Sequence, residues 1–385
     1  MPKIAIGLNA VIAAVTEEVP RILTVRRRAA GGGGGVAEPA REDALPFGPL
    51  DPESDRTLDR GLRRWVREQT GLELGYVEQL YTFADRDRDP RERQGGPRVV
   101  SIGYLALVRE REGTVAGEAR WLDFYEVFPW EDWRAGRPEV LDRAIAPALA
   151  RWAAGPGAPA RERRERADIA FGLGGAPWDG ERVLERYELL YEAALVNEAL
   201  RDALSCAMPA ESATSGFPAE SAAGPSPPGR RAASSTIAVG GPAPATSAAR
   251  ARSPAAAANP AAAAELGAGA STLPGRPMAF DHRRIVATAL GRLRGKLKYR
   301  PVIFELLPAA FTLLQLQRVV EALAGVRLHK QNFRRLVENA GLVEGTGSRQ
   351  PATGGRPAEL FVFRREVLRE RPAPGVGIPG MRRSG

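Results

Sequence analysis

The chain reads "FTLLQLQRVVEALAG" at residues 311–325, "HKQNFRRLVENAG" at 329–341 and "LVEGTGSRQPATGGRPAELFVF" at 342–363. In the first stretch Leu313, Leu316, Val319, Val320 and Leu323 recur at helical spacing. Thr312 precedes them as a natural N-cap and Gly325 closes the run. The second stretch predicts another helix, again ended by glycine, with Phe333, Leu336 and Val337 on its buried side. The third predicts a short strand, a glycine-rich basic loop and a second strand. Two helices around a short turn, then a hairpin with a basic tip, form the winged helix-turn-helix pattern.

Charge follows the same division. Residues 278–385 hold 20 Lys and Arg against 8 Asp and Glu, so they carry +12, and the other 277 residues carry −3 of the total +9. A basic domain on a near-neutral body points to an anionic partner; a solvated basic face is the plainer alternative. Lys330, Asn332, Arg334 and Arg335 cluster on the presumed recognition helix. Lysine and arginine suit phosphates and guanine edges, and asparagine suits adenine. Arg349 and Arg356 ride the wing, within reach of backbone or minor groove. Double-stranded DNA is the expected partner. One such domain reads a short half-site, so a homodimer on an inverted repeat is expected.

Upstream, residues 207–277 hold 24 Ala and 11 Pro with one aromatic, Phe217. Such a segment cannot bury enough apolar surface to offset chain entropy, and it is expected to be a disordered insert. Residues 180–204 predict one long amphipathic helix, a candidate dimer surface or a cover for the chain's own core. Before it, 4–15 and 21–28 predict paired strands, 31–43 a loose glycine-rich loop, and 57–70 a helix stopped by Gly71. Strands are expected at 76–84, 98–108 and 121–130, and a helix at 131–153. The expected organisation is a body at 1–155, a connecting segment at 156–206, the insert, a DNA-binding domain at 278–366 and a tail at 367–385. The expected fold class is α+β: the body, mixing strands with two helices, reads as an α/β or α+β sandwich, and the winged domain follows.

Several chemistries are excluded. Cys206 is the only cysteine, so an intrachain disulfide and a cysteine zinc site are ruled out. The two histidines, His282 and His329, lie far apart in sequence, which argues against a histidine metal centre. No secretory leader opens the chain and no apolar run of 18 residues occurs, so a cytoplasmic location without membrane partners is expected.

The stretch "RTLDRGLRRWVREQTGLELG" at 56–75 resembles a Nudix box, the glutamate-rich signature of pyrophosphate hydrolases. Aligned on Gly71, the box arginine falls on Arg64 and its paired glutamates on Glu68 and Gln69. The glutamate after the arginine falls on Trp65 and the earlier one on Arg56. Pyrophosphate hydrolysis needs a divalent cation, and Mg²⁺ needs carboxylates on successive helical turns. A lone Glu68 is a poor site and Arg56 repels a cation, so neither a metal nor catalysis is expected. The alternative is a hydrolase in which Glu53, Asp55 or Glu73 rebuilds the site with Glu68; a further alternative is a protein or RNA scaffold.

"LYTFADRDRDPRERQGGPRVVSIGYLAL" at 80–107 is similar to the region after the Nudix helix in ADP-ribose-type Nudix proteins, with a short insert, "ERQGG", before Arg98. With the C-terminal stretches in the same order, the chain resembles Nudix-related transcriptional regulators of NAD metabolism, over about 4–200 and 278–365. The resemblance implies a repressor that senses ADP-ribose or a related NAD metabolite and has lost its catalytic groups. In that frame Arg27, Arg88, Arg91 and Arg98 are candidates for pyrophosphate, and Tyr81 or Phe83 for stacking on a base.

Overall fold

The computed structural model describes residues 4–28, 41–86, 92, 95–110, 117–155, 159–207, 274–350, 357–371 and 374–376. Its spine is strand β1 (Ile4–Thr16). It pairs antiparallel with β2 (Val19–Arg28) through a two-residue turn, and in parallel with β6 (Arg98–Leu107) in the register Ile4↔Arg98 to Ala13↔Leu107. The strands β3 (Arg41–Ala44) and β4 (Phe47–Pro49) pair with β2 and β1, respectively. Strand β5 (Tyr76–Phe83) borders β6, and β7 (Ala119–Asp123) borders β2. β1 reads as a continuous apolar run because both its faces are covered. Leu8, Ala10 and Ile12 pack with Leu62 and Val66 of helix α1 (Leu58–Thr70), while Val11 and Ala13 join a larger core on the other side.

Helix α1 begins at Thr57, whose hydroxyl accepts the Arg60 N–H, and ends at Gly71 in the left-handed region at φ 73°. The glycine stop is as expected, and the Thr57 cap fixes the start. Beyond β7 come a short helix α2 (Phe124–Val127), a 3₁₀ turn (Pro129–Glu131) and a π-helical turn (Leu141–Ile145). The last continues into α3 (Ala146–Ala154), followed by α4 (Ala160–Phe171).

The long helix expected over 180–204 is two helices, α5 (Val183–Glu192) and α6 (Asn197–Ala207). Ala194 stands at φ 56°, the Leu195 N–H reaches Leu190 O at 2.8 Å, and the Ala194 N–H reaches Tyr191 O at 3.0 Å. These are the two bonds of a Schellman stop, with Leu195 packed over Leu190. Alanine takes the place that glycine usually holds, so the break carries no sequence signal. Three further expectations change. Residues 41–43, read as loop, lie in β3; most of the strand expected over 121–130 is taken by α2 and the 3₁₀ turn; and the helix expected from 131 begins at residue 139. Residues 208–273 of the Ala/Pro-rich stretch lie outside the described residues. The chain on either side of them meets on one face: Glu198 accepts the Met278 N–H at 2.9 Å, and Arg201 donates to Met278 O at 3.0 Å.

Helix α7 (His282–Tyr299) completes the sandwich. It lies on the sheet face opposite α1 and against α5, so close that a Cβ on Gly103 of β6 would approach Ile285 to 3.3 Å. The C-terminal elements follow: a 3₁₀ turn (Val302–Leu306), helix α8 (Leu313–Ala324), helix α9 (Lys330–Asn339), strands β8 (Val343–Gln350) and β9 (Ala358–Phe363), and the short α10 (Val367–Glu370).

A buried ionic cluster binds the layers together. Glu131 accepts from Arg186 of α5 at 2.6 and 3.0 Å and from Arg294 of α7 at 2.5 Å, and all three side chains are buried. The surplus positive charge is met by carbonyl oxygens: Ala170 and Asp179 accept from Arg186, and Gly180 and Leu323 from Arg294. Arg186 also lies 3.9 Å over the Trp178 ring. Removing one member of such a cluster leaves an uncompensated buried charge. Glu131→Ala is therefore expected to lower unfolding free energy by about 3–5 kcal/mol in urea denaturation; a loss within the error of the measurement would contradict this.

Candidate nucleic-acid interface and sensing site

The winged region is built as its sequence predicts. Thr312 accepts the Gln315 N–H while Gln315 reaches back to the Thr312 N–H, a complete capping box on α8. Gly325 ends that helix at φ 72°. Over the turn that follows, buried Glu321 in the last turn of α8 accepts from the Leu328 N–H at 2.9 Å, Gln317 at 2.8 Å and Arg327 at 2.8 Å. Burial alone would raise this carboxyl. The donors outweigh it and hold it below the usual carboxylate value.

On α9, Phe333 and Val337 face the core, Leu336 is half-buried, and Lys330, Asn332, Arg334 and Arg335 are exposed. Arg334 pairs along the helix with Glu338 at 2.7 Å. Strands β8 and β9 form the wing, and Phe311 bridges to Phe361 with reciprocal backbone bonds of 2.9 and 2.8 Å. Arg349 is exposed on β8 opposite Glu359. Arg356 lies outside the described residues.

In the body, the positions of the Nudix-like frame are filled by groups that hold β4. Trp65 donates from Nε1 to Pro49 O at 2.7 Å and lies so close over Gly48 that a Cβ there would meet its ring at 2.1 Å. The Gln69 amide both accepts from Phe47 N at 3.1 Å and donates to Phe47 O at 2.6 Å. Arg64 is clamped by Asp55 at 2.8 and 3.1 Å and lies 3.6 Å from Glu68. Asp55 is thus committed to a guanidinium, and Glu68 is exposed beside the same arginine. Among the described residues no group of three or more His, Cys, Asp or Glu side chains could hold a metal ion. None of their helices is long and apolar enough to cross a membrane.

Of the expected ligand residues, Tyr81, Phe83 and Arg98 come together at one end of β5 and β6. Tyr81 is 59% exposed and meets the Phe83 ring edge-on at 5.2 Å, and Arg98 donates to Ala84 O at 2.9 Å. Phe83 itself is a core side chain, 1% exposed, so its ring is covered by the body's own packing. Arg27 stands on β2, separated from β5 by β1 and β6, with its guanidinium over Phe47 at 4.7 Å and Phe280 at 5.0 Å. Arg88 and Arg91 lie outside the described residues. The anchoring roles of Trp65 and Gln69 carried no signal beyond their departure from the box.

A capped helix, a glycine turn, an exposed basic second helix and a bridged hairpin define a winged helix-turn-helix domain. Residues 303–363 match the family model of the NrtR DNA-binding winged helix domain. A curated relative, the ADPR responsive transcriptional repressor NtrR of Acinetobacter baylyi, is 40% identical over 86 residues, which cover 22% of this chain and 34% of that protein. The match thus spans about a third of that relative's length. Among solved structures, Shewanella oneidensis NrtR complexed with a 27mer DNA is similar over 94% of this chain and 95% of its own, at 18% identity and a TM-score of 0.45. The NUDIX domain of the same protein complexed with ADP ribose aligns with 34% of this chain and 78% of its own, at 22% identity and a TM-score of 0.26.

The anchoring of β4 has a measurable consequence. Restoring the acids, Trp65→Glu with Gln69→Glu, removes the indole donor and the amide donor. This is expected to cost about 1 kcal/mol of stability in thermal denaturation, since the Phe47 and Pro49 carbonyls lose their donors. An unchanged melting temperature would show that those bonds contribute nothing.

Proposed function

We propose that this chain is a DNA-binding transcriptional repressor of NAD-metabolism genes, acting as a cytoplasmic homodimer, whose body binds ADP-ribose or a related metabolite without hydrolysing it. The observation that carries this is the winged domain: α9 turns its core residues inward and leaves Lys330, Asn332, Arg334 and Arg335 exposed on the other side. The named function of the Acinetobacter relative supports the same role. The start of α9 adds to it. His329 gives no side-chain cap, which leaves the helix's positive end open to a phosphate. On the body, exposed Tyr81 and Arg98 stand at one end of β5 and β6, an aromatic ring and a guanidinium suited to a nucleoside diphosphate.

Loss of hydrolysis follows from the helix α1 frame. The box positions hold Trp65 and Gln69, and Asp55, the nearest substitute acid, is engaged by Arg64. No Mg²⁺-dependent turnover of ADP-ribose above a Glu68→Ala control is expected. Calorimetry is expected to detect binding that weakens in Tyr81→Ala and Arg98→Ala. Robust turnover lost in Glu68→Ala would instead make the protein a hydrolase.

DNA recognition is tested on duplexes from upstream of NAD-biosynthesis genes, with and without ADP-ribose. Asn332→Ala or Arg335→Ala is expected to weaken operator binding by about 1–3 kcal/mol and to relax one base position. Arg349→Ala is expected to weaken all sequences alike and to reduce the salt slope by about 1. Variants that bind operator as tightly as the wild type would remove α9 and the wing from the interface.

A further inference from the structure

The turn between α8 and α9 is held from two sides by the sheet body. On the inner side, the body supplies donors to the last carbonyls of α8, groups that a helix cannot satisfy by itself. The Tyr125 hydroxyl donates to Ala322 O at 2.6 Å, Arg294 Nε to Leu323 O at 3.1 Å, and the Trp133 N–H to Gly325 O at 2.7 Å. Burial pushes the Tyr125 hydroxyl up to about 12, so it stays protonated as a donor. The fit leaves no spare room: a Cβ on Gly325 would meet Glu131 O at 2.4 Å. Glu131 fixes Arg294 in place through its own buried pair.

On the outer side stands the β1–β2 turn. Glu17 and Glu18 occupy it at φ 51° and 65°, a conformation that glycine or asparagine adopts far more readily. The Glu18 carboxylate meets Arg318 of α8 at 2.9 Å and Arg327 of the turn at 3.0 Å. Arg327 passes the contact to Glu321, which receives the Leu328 N–H just before α9. The two sides are tied together, because Arg134 donates to Glu18 O at 2.5 Å and chelates Asp132, next to Trp133.

We propose that Tyr125, Arg294 and the Trp133 amide on one side and Glu18 on the other form a joint through which the body sets the pose of recognition helix α9. The joint also carries effector binding to DNA affinity. This second part rests on the effector role proposed above. Glu18 and Tyr125 are positioning residues: neither lies on the exposed face of α9, and neither is among the ligand candidates. Coupling between two sites requires an element that both of them bias, and here that element is the turn at 325–329.

Two variants of the full chain test it, Tyr125→Phe, which removes a hydroxyl and keeps the ring, and Glu18→Gln. Hydrogen exchange of the 325–329 amides, measured without DNA or nucleotide, is expected to speed up in both. For Tyr125→Phe the change is about fivefold, the value of one buried hydrogen bond; for half-exposed Glu18 it is smaller. Operator affinity is then measured with and without ADP-ribose, and the ratio of the two is expected to move toward one in both variants while calorimetric ADP-ribose affinity stays at the wild-type value. Unchanged exchange would overturn the joint. Faster exchange with an unchanged ratio would overturn its role in transmission. A wild-type ratio of one would refute the effector role itself, and the exchange result alone would then decide the joint.

Discussion

One carboxylate, Glu131, lies at the centre of the molecule's organisation. Burying an ion costs several kcal/mol, and a single carboxylate between two guanidiniums leaves a net positive charge in the core. The structure resolves this by spending backbone carbonyls on the arginines, among them Leu323 O at the end of α8. A buried cluster of this kind is weak evidence of stability for its own sake. Its value is geometric. Arg186 and Arg294 can satisfy their donors in one arrangement of α5, α7 and the Pro129–Glu131 turn, and that arrangement places the end of α8.

The same logic explains how helix α1 keeps its place without the acids of the box it resembles. Its cap, its glycine stop and its apolar stripe are local and are all intact. The exposed face that would need carboxylates for a cation now anchors β4 through Trp65 and Gln69. A charged cluster would have to be held against its own repulsion by a metal; an indole and an amide satisfy the backbone of β4 with neutral bonds. At these positions the side chains hold the strand that pairs with β1.

Much of this was legible in the residues. The α1 stop at Gly71, the Thr312 cap, the inward Phe333 and Val337 and the wing all follow from spacing, capping and glycine chemistry, which act within a few residues. The ends of β1 and β6 were also legible, because strands buried on both faces read as unbroken apolar runs. What escaped was either non-local or unsignalled. Ala194 makes a left-handed stop without glycine, so α5 and α6 read as one helix. Strand β4 is three residues long and exists because Gln69 and β1 pair with it. Helix α7, read as part of the winged domain, packs on the sheet, through contacts such as Ile285 against Gly103 that are distant in sequence. At the candidate sensing site, Tyr81 and Phe83 look alike in sequence and, two residues apart, share one face of β5; the surrounding packing alone leaves Tyr81 exposed and buries Phe83.

The joint and the recognition helix then belong to one physical problem. A winged domain on a loose tether would bind DNA with an affinity independent of the body, since a ligand shifts an equilibrium only through differential contact with its states. Here the first helix of the motif has its C-terminal carbonyls satisfied by Tyr125, Trp133 and Arg294, so its terminus is complete only while it is docked. Undocking would break these three hydrogen bonds together and uncover the apolar surface that α8 shares with the body. Both costs favour the docked pose and tie the position of α9 to the sheet body.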